Sequence, residues 1–154
     1  PREPLTALCH CLENEPLALP LSQALMNRLN TELSATEPDI PVITALVRGL
    51  SLSISAATRN RMFALAKDSP YATHIELLAA ISGRAWELLQ QPGHAGRYLE
   101  ALAHSPAGQS AFNHCLGDLL AMPGLRTPLL QAGRDPARSD ELAAAFGAMM
   151  RQLT

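Results

Sequence analysis

Twelve prolines divide the chain into stretches of helix length, and this spacing restricts the possible folds more than any other feature. They stand at 1, 4, 16, 20, 38, 41, 70, 92, 106, 123, 128 and 136. Proline lacks a backbone N–H and its ring clashes with the preceding helical turn, so it belongs at the start of a helix or between helices. The intervals predict nine helices, near 3–14, 20–33, 39–52, 54–68, 71–90, 93–105, 108–122, 124–133 and 138–153. Ser69-Pro70 and Ser105-Pro106 each offer a hydroxyl cap followed by proline at the first helical position. Asp135-Pro136 and Ser139-Asp140-Glu141 offer similar starts.

The odd-numbered segments each carry an apolar stripe at i, i+3, i+4, i+7, the spacing of one helix face. The stripes read Leu5/Leu8/Cys9/Leu12, Ile43/Leu46/Val47/Leu50, Ile75/Leu78/Ala79/Ser82, Phe112/Cys115/Leu116/Leu119 and Leu142/Ala145/Phe146/Met149, broken only at Ser82. Successive starts lie 38, 32, 37 and 30 residues apart. Local identity follows the same register: Leu5-Thr6-Ala7-Leu8 matches Ile43-Thr44-Ala45-Leu46, and Ala64-Leu65-Ala66-Lys67-Asp68-Ser69-Pro70 resembles Ala101-Leu102-Ala103-His104-Ser105-Pro106. A helix pair cannot bury its own apolar face and must stack on the next, which is the logic of repeat proteins. The expected fold class is therefore all-α, an α-solenoid of stacked antiparallel helix pairs without a sheet. An irregular helical bundle is the alternative.

Composition agrees. The chain has 154 residues, 47% of them apolar and only 4% aromatic, with 27 Leu and 25 Ala, both strong helix formers. Strand-favouring residues are too scarce for a β-sandwich, and the apolar content is too high for disorder. One domain fits the length. The net charge of −2 builds in no general attraction to nucleic acid or anionic membrane. Three cysteines make no secreted disulfide framework and favour a reducing cytoplasm. No long apolar run reads as a membrane span or signal peptide. The first residue is Pro1 rather than Met, so a C-terminal fragment of a longer protein is expected.

The paired pattern resembles HEAT-type repeats. Segments Leu8-Cys9-His10-Cys11-Leu12-Glu13-Asn14, Ile75-Glu76-Leu77-Leu78-Ala79-Ala80-Ile81-Ser82-Gly83-Arg84-Ala85-Trp86 and Tyr98-Leu99-Glu100-Ala101-Leu102-Ala103 resemble the C-terminal half of a bacterial domain-of-unknown-function family. That resemblance implies a missing N-terminal region and transfers no activity, cofactor or catalytic residue.

Two clusters invite a metal reading, Cys9-His10-Cys11 and His114-Cys115. In the repeat register they fall in the first and fourth repeats, roughly 25 to 30 Å apart at ordinary helix spacing, and cannot share an ion. Adjacent residues on one helix also diverge. Cys9 and Cys115 instead read as small buried hydrophobes. There is no phosphate loop, HExxH or GxSxG, and no nucleophile with a base nearby in sequence. Asp140 and Glu141 suit the positive end of a helix, and His104 suits a helix C-terminus. No catalytic residue, metal site or cofactor is assigned.

Eleven of the twelve basic residues are arginines, leaving Lys67 as the single lysine, a bias attributed to base composition. Arg28, Arg59 with Arg61, Arg97 and Arg126 fall one or two to each even-numbered segment. Aligned by stacking, Arg28, Arg61, Arg97 and Arg126 would form a ladder and are the candidate partner surface. The alternative is local pairing, Arg28 with Glu32 and Arg97 with Glu100. Trp86 is expected to extend the Ile75 stripe into the core. The reading is a non-enzymatic protein-binding or scaffolding module whose partner is another protein, with self-association open. The competing readings are a HEAT-like nucleic-acid binder using the arginine ladder, and a non-catalytic part of an enzyme whose chemistry lies elsewhere.

Overall fold

The computed structural model describes residues 2–12 and 16–152. Among the described residues there are nine α-helices and one 3₁₀ helix: α1 (Arg2–Leu12), α2 (Leu19–Leu33), α3 (Ile40–Leu50), α4 (Ala56–Asp68), α5 (Ile75–Arg84), the 3₁₀ segment Trp86–Gln90, α6 (His94–Ala103), α7 (Gly108–Leu120), α8 (Arg126–Gly133) and α9 (Asp140–Gln152). The all-helical expectation holds. The expected ends of the first and last helices, at 14 and 153, lie outside the described residues.

The helices fall into two rows. α1, α3, α5, α7 and α9 touch in that order, as do α2, α4, α6 and α8, and the rows meet along α2 with α3, α3 with α4, and α6 with its neighbours α5, α7 and α9. The two most extensive contacts join alternate helices, α1 with α3 and α3 with α5, rather than chain neighbours. α3 explains this: Val42, Ile43, Ala45, Leu46, Val47, Gly49 and Leu50 are buried, seven of its eleven residues. So wide an apolar arc must be covered over most of the helix, and only the side carrying Pro41, Thr44 and Arg48 reaches the surface.

Some stripes are buried as read and others shift. Ile43/Leu46/Val47/Leu50 and Leu142/Phe146/Met149 are buried as expected. On α1, at the end of its row, Leu8 is 45% exposed and Cys9 alone is fully buried. On α5 the buried residues are Leu77, Leu78, Ala80 and Ile81, because α3, α7, α6 and the 3₁₀ segment cover a wider arc than one stripe.

The helix expected over 71–90 is two elements. Gly83 weakens the helix, Ala85 leaves α geometry at φ −114°, ψ 18°, and the 3₁₀ segment turns Leu88 and Leu89 into the core. Trp86 packs half-buried from this segment, so it does not extend the Ile75 stripe.

The proline signals are also corrected. Ser69-Pro70 does not start α5, whose cap is His74, with Nδ1 accepting from the Glu76 N–H at 3.3 Å. Instead Ser69 Oγ accepts from the Tyr71 N–H and its carbonyl accepts from the Ala72 N–H. Ser105-Pro106 repeats this with the N–H groups of Ala107 and Gly108, and Asp135-Pro136 with those of Ala137 and Arg138. All three are turns with proline at the second position, where its fixed φ suits the chain reversal. They follow α4, α6 and α8, so the same device closes three successive helices of one row.

Candidate functional site

The four candidate arginines lie on successive helices of the α2–α4–α6–α8 row, but two are held by carboxylates. Arg28 donates to Glu32 Oε2 at 2.7 Å, the pairing expected from its i, i+4 spacing. Glu32 is buried, and its other oxygen accepts from the Asp39 N–H at 2.9 Å. Asp39 in turn caps α3 through the Val42 N–H and pairs with Arg2 at 3.1 Å. Arg28 thus fastens α2 to the start of α3.

Arg97 pairs with Asp68 across α6 and α4, not with Glu100 as its i, i+3 spacing suggested. Glu100 is engaged elsewhere, accepting from the Ser139 N–H at 2.9 Å and the Ser139 hydroxyl at 2.5 Å, while Ser139 Oγ caps α9 through the Leu142 N–H. A capping serine with two donors outcompetes a flexible neighbour on the same helix. Arg61 and Arg126 are exposed, and among the described residues no hydrogen bond or ion pair joins either of them to the other arginines or to a carboxylate.

The cysteine and histidine clusters disperse. Cys9 is fully buried, with its Cβ and Sγ against Gly49 of α3, where a glycine Cβ would sit 3.5 Å away. Burial pushes its thiol up to about 11. His10 and Cys11 face solvent. Cys115 is only half-buried, less than its stripe position suggested; burial raises its pKa too, partly opposed by the Tyr98 hydroxyl beside it. All three thiols are free. Among the described residues no three His, Cys, Asp or Glu side chains are arranged to hold a metal, and no helix is long and apolar enough to cross a membrane.

Two features escaped the sequence reading. The first is the link between Leu17 and Ser53, a parallel bridge in which Leu17 N–H donates to Leu52 O and Leu17 O accepts from the Ile54 N–H, both at 3.1 Å. Leu17 and Ser53 turn inward and are buried. The neighbours of Ser53 turn outward, so Leu52 (39% exposed) and Ile54 (62%) present aliphatic side chains to solvent, and Leu19 (48%), the first residue of α2, is exposed two residues beyond Leu17. Alternation in an extended segment accounts for Leu52 and Ile54 on either side of Ser53, but so short a run does not announce itself in the sequence. The second is Lys67, buried on α4.

No curated protein and no solved structure matches the chain. The resemblance expected to the C-terminal part of a family is corrected by a family match that runs from residue 1 to residue 150. On that coverage, the chain belongs to the family described as Protein of unknown function (DUF3549).

Proposed function

We propose that this chain is a non-enzymatic module that binds another protein, built as a HEAT-like solenoid in which the two helix rows are the two layers of stacked helix pairs. The observation that carries the reading is the exposure of Leu52 and Ile54 on either side of the bridged Ser53, with Leu19 exposed two residues beyond its partner Leu17. Large aliphatic side chains exposed close together along the chain and its bridge partner are the kind of apolar surface a protein contact covers. The three Ser-Pro and Asp-Pro turns after α4, α6 and α8 support the repeat reading, since a stacked unit reuses its joints. Three free thiols, with Cys11 exposed, suit a reducing cytoplasm.

The test is a photo-crosslinking residue at position 54 of the chain, in cells, with the same residue at exposed position 131 as the comparison. A discrete adduct of another protein from 54 alone, abolished by Leu52→Asp, supports the reading. A crosslink to a second copy makes the module a self-associating one. No adduct from 54, or equal adducts from both, defeats it.

The nucleic-acid reading is weakened because Arg28 and Arg97 each stand beside a carboxylate that offsets the charge a ladder along phosphates would need. Affinity for a short duplex at about 150 mM salt is expected to be no better than the weak non-specific range of roughly 10⁻⁴ M. Micromolar binding with a steep salt slope, lost in Arg61→Ala/Arg126→Ala, would reverse the order.

A further inference from the structure

The single lysine of this arginine-rich chain is also its one basic side chain among the buried described residues. Lys67 is 9% exposed, and its Nζ donates to the Ala72 carbonyl at 3.3 Å. That bond uses one of three donors, and the described residues supply no acceptor for the other two. Beside it opens a surface depression of about 340 Å³ lined by Lys67, Thr73, Arg97, Glu100, Ala101 and His104. Two helices of one row, α4 and α6, form its walls.

The charges around the amine are unevenly matched. Burial disfavours the ammonium first, the Arg97 guanidinium repels it next, and Asp68 attracts it less than Arg97 repels, so its pKa is pushed down to about 8. Glu100 gives both oxygens to Ser139, and the His104 ring lies 3.9 Å from Glu100 and 3.6 Å from Glu141. Asp68 is paired with Arg97. Desolvation and a neighbouring cation are the two devices that turn a lysine into a nucleophile, because both favour the neutral amine.

The geometry points to Lys67 as a reactive amine that captures a small carbonyl compound carrying a carboxylate, a 2-oxo acid, as an imine. The Nζ lone pair adds to the carbonyl carbon, a C–N bond forms, and a proton passes from nitrogen to the former carbonyl oxygen. The resulting hydroxyl takes a further proton from solvent and departs as water, while nitrogen gives up its remaining proton as the C=N bond forms. Amine and carbonyl become imine and water, with no change of oxidation state. Arg97 is 46% exposed and its pair with Asp68 engages one of its two terminal nitrogens, so the guanidinium keeps donors for a second carboxylate on the depression side, and the Thr73 hydroxyl is a further donor on its wall. This capture is independent of the protein contact at Leu52 and Ile54.

The test uses the full chain with glyoxylate and cyanoborohydride at pH 7.5, peptides being mapped by mass spectrometry. The internal standard is the exposed lysine introduced by Arg134→Lys. Lys67 is expected to be alkylated at least tenfold faster than that standard, and glyoxylate is expected to outpace propanal at Lys67 while the two differ little at the standard. Arg97→Gln, checked for unchanged helicity, is expected to slow Lys67 at least threefold at pH 7.5 and to move its rate–pH profile upward. Labelling of Lys67 no faster than the standard overturns the proposal. Equal labelling by propanal overturns the carboxylate preference, and an unmoved profile in Arg97→Gln overturns the role of the guanidinium.

Discussion

Gly133, the last residue of α8, lies against the ring of Phe146 on α9 so closely that a Cβ there would overlap the ring carbons. The contact is buried on both sides, with Phe146 only 5% exposed. Glycine is required here for space. Gly133→Ala is expected to cost about 1 to 3 kcal/mol, as overpacking does, and urea unfolding would measure it. Combined with Phe146→Leu, the alanine should cost less than it does alone, since the smaller side chain gives it room. Full additivity would mean that the two residues do not meet as described.

A second expectation concerns Ser22 and Ser53. Both are fully buried, and their hydroxyl oxygens lie 2.8 Å apart, joining α2 to the loop between α3 and α4. Ser53 Oγ also accepts weakly from the Ser55 N–H, and its carbonyl accepts from Arg59. Ser53→Ala strands the Ser22 hydroxyl with a single 3.4 Å contact to the Leu17 carbonyl. A buried polar group left without a good partner costs about 1 to 3 kcal/mol. Removing both hydroxyls in Ser22→Ala/Ser53→Ala should cost less than the sum of the single changes. A double variant at the sum would show that the hydroxyls act independently.

What could be read from the chain depended on how local each signal is. Proline position, the Leu and Ala content and i, i+4 pairs are settled within a few residues, so the nine helices and the Arg28–Glu32 pair were legible. Arg97 had two carboxylates to choose from, and the choice went to Asp68, 29 residues away, because Ser139 had claimed Glu100 from 39 residues away. Ser-Pro is ambiguous by chemistry, since the same hydroxyl accepts a bond in a turn and at a helix cap. At Ser69 only the position of Ile75 on the core separates the two. Lys67 was visible as the one lysine, but nothing near it in sequence announces burial, which arises where α6 closes over α4.

The thiols should differ in reactivity in a fixed order. A disulfide-exchange reagent at pH 8 requires thiolate and access. Cys11 is exposed and should react within the mixing phase, Cys115 more slowly, and Cys9 only when the chain unfolds, being buried with its pKa raised to about 11. In the order of labelling under increasing urea, Cys9 should follow the global transition. Early labelling of Cys9 would mean that α1 opens from α3 by itself.

The last expectation follows from the Lys67 amine through proton linkage. Its pKa falls from 10.5 in the free side chain to about 8 in the folded chain, burial being the largest cause. A depressed folded value means that the unfolded chain binds the proton more tightly, so the contribution of Lys67 to stability is fully present above about 10.5 and is lost as pH falls through about 8. At pH 7 the folded chain therefore carries the full penalty of a buried ammonium. Lys67→Met keeps the packing of the stem and removes the charge, at the cost of the bond to the Ala72 carbonyl. It should stabilise the protein at pH 7 by about 1 to 3 kcal/mol, with the advantage shrinking as pH rises from 8 towards 10.5. Cys9 runs the other way, since its raised value means stability lost between 9 and 11 in the wild type and the variant alike, and it cancels when the two are compared at each pH. Urea midpoints of both proteins at pH 7, 8.5 and 10 would measure the trend. A Lys67→Met advantage independent of pH would show that the gain comes from packing and that the amine is not held short of its proton.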